Sequence, residues 1–335
     1  MTPKKIDAGI LGTGFYVPER ILTNFDLEKM VDTSDEWIVE RTGIRERRIA
    51  PDETPVSELA FQAAERALHD ANVRAEELDL VILATLTADC VCPSAASVVQ
   101  DRLGAAHAAA FDLSAACSGF VYASSVAAQF IATGAYRRVL VIGAETLSKY
   151  VDWQDRNTCV LFGDGAGAAV YGPVEPGYGL ISFDLGSDGS RADCLGIPAS
   201  GSRHMITEET IAKRLNRIHM DGPEVFKFAV RAMPATLQRS LARAGMTSAD
   251  LDWLVPHQAN TRIIHSAAKR LAMPLEKVII NIEKYGNVSA ASIPMALAEA
   301  AGEGRFRKGD IVALAGFGAG LTWASCIMKW AKEDY

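Results

Sequence analysis

Cys117 lies in FDLSAACSGF (residues 111–120), between two alanines and Ser118-Gly119, with nothing bulky, charged or sulfur-bearing beside it. That setting fits a packed thiol, since free cysteine behaves as a small hydrophobe. It also fits a sulfur that a substrate must approach closely. A helix-like segment, SGFVYASSVAAQFIATG, follows, and unpaired N–H groups at a helix start lower a thiol pKa and favour thiolate. A thiolate that takes an acyl group from one thioester makes another, at little cost in bond energy. Small neighbours leave the Cys117 backbone N–H free to point at the developing oxyanion, and the FGAG turn at 317–320 offers a second donor. His257, ending LDWLVPH, and Asn287, in KYGNVSAAS, both carry donor side-chain nitrogens. Two donors on one carbonyl oxygen stabilise an enolate, the species left when a malonyl thioester loses carbon dioxide. The set suits a decarboxylative Claisen condensation. Singly, such residues are more often structural, and an asparagine after glycine is usually a turn residue.

The elements that hold them repeat. AERALHDANVRAEELDLVILAT (64–85) and LQRSLARAGMTSADLDWLVPHQ (237–258) both read as an amphipathic helix, a short loop and a buried strand. Leu68, Ala71, Leu78 and Asp79 match Leu241, Ala244, Leu251 and Asp252. YRRVLVIGAE (136–145) resembles FRKGDIVALAG (306–316), and FGDGAGAAVYG (162–172) resembles AGFGAGLTWAS (315–325). Several pairs in one order indicate duplication. Alternating strands and helices indicate an α/β fold of mostly parallel sheets covered by helices. The boundary is expected near GPVEPGYG, giving halves 1–175, with the cysteine, and 176–335, with the histidine and asparagine. In such sheets ligands bind at the carboxyl ends of strands, so Cys117, His257 and Asn287 are expected to share one cleft.

At 335 residues and 49% hydrophobic, the chain can bury a large core. A formal charge of -7 argues against non-specific nucleic-acid binding. Cys90, Cys92, Cys117, Cys159, Cys194 and Cys326 form neither a disulfide framework nor a metal-ligand spacing, so no metal is expected. Gly12-Thr13-Gly14 runs into Val17-Pro18 and lacks a dinucleotide fingerprint; GDGAGAA lacks the lysine of a P-loop. Neither a signal peptide nor a membrane span is read, so a cytoplasmic protein is expected.

AACSGF, VPHQAN and YGNVSAAS, in this order, together with DTSDEWIVERTGIRERR (32–48), FGDGAGAAV, DGPEVFKFAV and FGAGLTWAS, resemble the β-ketoacyl-[acyl-carrier-protein] synthase III family over nearly the whole chain. The resemblance implies a thiolase-like five-layered α-β-α-β-α fold in a homodimer. It implies that Cys117 takes an acyl group from acyl-CoA, a substrate and not a cofactor. His257 and Asn287 would then act on malonyl-acyl carrier protein, with the backbone N–H groups of Cys117 and Ala319 as oxyanion hole. Trp37 and Arg156 would sandwich the adenine of CoA; Arg41, Thr42, Phe226, Asn260 and Arg262 would line the tunnel. Lys227, Arg262, Lys269 and Arg270 would dock the acidic carrier. In DCVCPSAA, Cys92 stands where many relatives carry a phenylalanine that closes the partner's acyl pocket, which implies primers longer or more branched than acetyl. The alternative is a relative making a specialised, polyketide-type product from CoA substrates.

Overall fold

Five consecutive apolar residues, Leu80–Ala84, stay out of water only if both faces of their strand are covered. The computed structural model, which describes residues 6–333, covers both. Its first half runs β1 (Ala8–Tyr16), α1 (Asp35–Thr42), α2 (Val56–Ala71), β2 (Leu80–Ala84), α3 (Ala95–Leu103), β3 (Ala109–Leu113), α4 (Gly119–Ala132), β4 (Val139–Thr146) and β5 (Asp164–Pro173). The second runs β6 (Gly179–Ser187), α5 (Gly222–Ala244), β7 (Trp253–Pro256), α6 (Thr261–Arg270), α7 (Ser292–Gly302), β8 (Ile311–Gly318) and β9 (Thr322–Lys329), with shorter pieces between.

The layers follow from side-chain alternation. Leu80, Ile82 and Ala84 pack inward with Phe120 and Val121 of α4 and with Ile293 and Leu297 of α7. Val81 and Leu83 pack outward against α2 and α3. In the other sheet Val312 and Leu314 face the same two central helices, while Ala313 and Ala315 face α5 and α6. Helices, sheet, helices, sheet, helices: this is the five-layered arrangement that the family resemblance implies. The halves share the central layer and so have one core between them.

Strand order in the first sheet is β1-β5-β4-β2-β3, and in the second β6-β9-β8-β7. The sheets are mixed and not mostly parallel as expected, because β8 and β9 are joined by a turn too short for a crossover and must run antiparallel. The two halves mix in the same way: β2 is parallel to β4 as β7 is to β8, and the remaining shared steps are antiparallel. The counterpart of β3 shrinks to one parallel bridge, Leu254 to Val278. The matched aspartates explain themselves. Asp79 accepts from the backbone of Arg137 and Arg138 at the entry to β4, and Asp252 accepts from Ile311 N at the entry to β8. Gly12 and Gly14 are also structural, because a Cβ on either would fall 2.2 or 2.4 Å from the backbone nitrogen of Ala71 or Ala67 in α2.

Arg47 fixes the lobe that carries α1. Its guanidinium, fully buried, donates to Leu22 O, Asn24 Oδ1 and Val160 O at 2.9 to 3.0 Å. Burial lowers its pKa only to about 10, so it stays charged. Arg47→Met strands these acceptors, and we expect a loss of about 3 kcal/mol in denaturant unfolding. An unchanged midpoint would show that the lobe is held by its apolar contacts alone.

Candidate active site

Each half enters its central helix the same way. Ala116 and Ser289 both adopt left-handed backbone conformations (φ 46° and 44°), each opening a short 3-10 turn that leads into a central helix. A non-glycine residue there is held by its surroundings at a cost of about 1–2 kcal/mol. The kink turns the next residue, Cys117 in one half and Ala290 in the other, into the space between the sheets. Only the first half puts a reactive group there.

Cys117, His257 and Asn287 line one cavity of about 540 Å³. Trp37, Arg41, Thr42, Phe226 and Asn260 line its outer part. His257 directly follows β7: its N–H donates to Ala315 O at 2.7 Å, and its ring stands edge-on to Phe317. The residue is 1% exposed and neither ring nitrogen has a partner. Burial pushes its pKa down to about 3, so the imidazole is neutral and keeps one N–H to give. Asn287 is seated on the segment before β5, donating to Leu161 O (2.8 Å) and accepting from Gly163 N (3.1 Å). Its Oδ1 accepts from Ser289 N at 2.9 Å, which sets the amide orientation and leaves Nδ2 as the free donor.

The sulfur departs from expectation. Burial pushes the Cys117 thiol up to about 12, against the thiolate expected from a helix start. The reason is placement: Cys117 is 6% exposed and sits two residues before α4, where loss of water outweighs the helix-end field. The second-half loop reaches it directly. A Cβ on Gly318 would fall 2.6 Å from the Cys117 backbone nitrogen. Thr322 Oγ1 bridges the same loops, with Ala115 O, Ser118 Oγ and Ala319 O all within 3.2 Å.

Beyond the sulfur lies a second cavity of about 390 Å³, which Cys117 and Ser289 share with Ala319 and Gly320. Its apolar wall is Leu86, Leu147, Phe162, Leu195, Ile197 and Ile218. The last three come from the long connection between β6 and α5, which carries no motif. Cys92 lines neither cavity of its own chain; it is exposed, beside Val91 at 96% exposure.

Arg156 lies over the Trp37 ring at 5.1 Å, with Arg41 at 5.9 Å. Arg262 lies over the Phe226 ring at 5.3 Å. Asn260 caps α6 and donates to Arg41 O at 2.8 Å, joining the halves at the cavity mouth. Thr42 spends its hydroxyl on Ile38 O. Lys227 is paired with Glu224 (2.7 Å). Arg262 and Lys269, seven residues apart, fall on one exposed side of α6, about 10 Å apart. Arg270 borders that side and lines a small cavity against α5.

A layered duplication with a cysteine on one half facing a histidine and an asparagine on the other defines a thiolase-fold condensing acyltransferase. The family model for 3-oxoacyl-[acyl-carrier-protein] synthase III matches residues 111–189, and that for its C terminal part matches residues 241–330. The β-ketoacyl-[acyl-carrier-protein] synthase III of Desulfitobacterium hafniense is 59% identical over 98% of this chain and 99% of its own. The crystal structure of the Aquifex aeolicus 3-oxoacyl-[acyl-carrier-protein] synthase III superposes with TM-score 0.89 at 49% identity, over 96% of this chain and all of that one. That of the priming β-ketosynthase from a polyketide biosynthetic pathway gives 0.92 at 36%, over 100% and 99%. The chain belongs to the β-ketoacyl-[acyl-carrier-protein] synthase III family.

Gly318→Ala tests the contact between the halves. Its methyl must push the Cys117 amide out of place, and losing one oxyanion donor lowers the rate about 10²-fold. We expect that loss in single-turnover acylation at a temperature where the variant is still folded, together with a lowered melting temperature, because the methyl clashes with backbone. A wild-type rate would show that the amide position is unimportant.

Proposed function

We propose that this chain catalyses the first condensation of fatty acid synthesis, joining an acyl-CoA primer to malonyl-acyl carrier protein through acyl-Cys117. The observation that carries the reading is the meeting of Cys117, His257 and Asn287 on one cavity, with an apolar cavity continuing behind the sulfur. Cys117 attacks the primer thioester; its C–S bond forms as the bond to coenzyme A breaks. The backbone N–H groups of Cys117 and Ala319 hold the oxyanion. The malonyl thioester then enters, and the His257 N–H and Asn287 Nδ2 donate to its carbonyl oxygen. Carbon dioxide leaves, and the enolate carbon attacks acyl-Cys117 and releases the sulfur. The product is 3-oxoacyl carrier protein. As proposed, these steps draw on protein groups alone, with acyl-CoA a substrate and not a cofactor.

Trp37 and Arg156 would take the adenine between them, displacing the guanidinium from the indole. Arg41, Thr42, Phe226, Asn260 and Arg262 would line the pantetheine path. Arg262, Lys269, Arg270 and Lys227 would meet the acidic carrier, Lys227 only after leaving Glu224. A homodimer is supported by β3, an edge strand, half-buried and with neither lysine nor proline, next to the exposed Val91 loop. The cytoplasm is the proposed compartment; no described helix is long and apolar enough to cross a membrane. Similarity to a polyketide priming enzyme supports the specialised-product reading as second choice.

Cys117→Ser should abolish acyl transfer with the fold intact, because a hydroxyl is a far poorer nucleophile at neutral pH. His257→Ala and Asn287→Ala should still acquire the acyl group by mass spectrometry but release carbon dioxide from malonyl carrier about 10²- to 10³-fold more slowly. If acylation collapsed while decarboxylation survived, the roles would have to be exchanged. Primer length has its own test. Each methylene buried in the second cavity contributes about 0.8 kcal/mol, so primers longer or more branched than acetyl should be accepted. Cys92→Phe should move kcat/KM towards acetyl-CoA; a wild type restricted to acetyl-CoA and indifferent to that change would refute the role of Cys92.

A further inference from the structure

Glu145, the penultimate residue of β4, is fully buried with no cation beside it among the described residues. Oε2 accepts from Thr87 Oγ1 at 2.7 Å and from Thr85 Oγ1 and Leu86 N at 3.2 Å each. Oε1 has no partner. A dry carboxylate oxygen left unpaired is costly, and here it is half of a pair of orphans. The other is Ser289 Oγ, equally buried and equally unpartnered. The two are brought together by packing, because β4 lies tightly against the Ser289–Ala291 turn: a Cβ on Gly143 would fall 2.2 Å from Ala290 O. Ser289 also shares the second cavity with Cys117. Its hydroxyl acts on both groups, offsetting part of the effect of burial on the Cys117 thiol and on the Glu145 carboxyl.

The thiol has to lose a proton for acyl transfer, and the cavity offers few takers. His257 is held neutral at about 3 and is too weak a base. Asn287 does not titrate. Burial raises Glu145 to about 7, the range of an efficient general base at neutral pH. The titratable groups that feel its charge are Cys117 and Tyr150.

We propose that Ser289 is a further catalytic residue and that Glu145 acts through it, the two forming a buried proton relay behind Cys117. Ser289 Oγ accepts the Sγ proton and passes its own to Glu145 Oε1 as the sulfur attacks the acyl carbon. The C–S bond to coenzyme A breaks, and the proton returns along the same two oxygens to the departing sulfur, which leaves as a thiol. The relay serves acylation only; decarboxylation of the malonyl group needs neither residue. It rests on acyl transfer from acyl-CoA to Cys117.

The test is single-turnover acylation of the full chain by acyl-CoA, followed by intact mass from about pH 5.5 to about pH 9, for wild type, Glu145→Gln and Ser289→Ala. The wild-type rate should rise with pH through about 7, as Glu145 becomes a carboxylate. Both variants should lose that inflection and be about 10²-fold slower above it, the contribution of a positioned base. Once acylated by long incubation, both should decarboxylate malonyl carrier at the wild-type rate. Ser289→Ala removes only a hydroxyl, at a backbone conformation that Ala116 also adopts, so it decides the matter should Glu145→Gln fail to fold. A wild-type pH profile in a folded variant overturns the relay. A wild-type chain that takes no acyl group overturns the reaction on which it rests.

Discussion

The active site depends on the closeness of Gly318 to the backbone nitrogen of Cys117. There the end of β8, from the second half, meets the turn before α4, from the first, with no room for a methyl group. The nucleophile's amide is thus placed by a loop two hundred residues away in sequence. Thr322 binds the same two loops through Ala115, Ser118 and Ala319. Strain at Ala116 is sustained by these contacts, since alanine has no side-chain oxygen to compensate it. Two half-folds that share one central helix layer can hold such a junction rigidly, because neither can shift without unpacking the core.

Dryness is the second constraint, and it acts in the same sense on Cys117, His257 and Glu145. Each is pushed towards its neutral form: the thiol upwards, the imidazole downwards, the Glu145 carboxyl upwards. A neutral imidazole and an amide are donors without net charge, suited to an enolate that forms as carbon dioxide departs. Charge is kept to the mouth, where Arg41, Arg156 and Arg262 lie over aromatic rings at the surface.

Much of this was legible in the sequence because period-2 and helical patterns repeat. Leu68 and Asp79 find their counterparts in Leu241 and Asp252 since each pair packs and caps identically, so duplication could be read directly, while the five-layered order came with the family resemblance. The cysteine, histidine and asparagine stood out by their small neighbours and strand-end positions. Other features depend on tertiary context. The missing fifth strand of the second sheet is a matter of one bridge, Leu254 to Val278. Leu195, Ile197 and Ile218 come from an irregular connection whose residues show no periodicity. Glu145, in VLVIGAET, reads as the tail of a buried strand, and only the packing of the Ser289 turn gives it a neighbour. The thiol's protonation state was misread because helix position is visible in sequence and desolvation is not.

The most direct test of the central claim follows the mass of the intact chain through both half-reactions. On mixing with an acyl-CoA, one acyl group should appear on the fragment that contains Cys117; on adding malonyl-acyl carrier protein it should vanish as carbon dioxide and 3-oxoacyl carrier form in equal amount. An adduct elsewhere, or one that malonyl carrier leaves in place, would contradict the account.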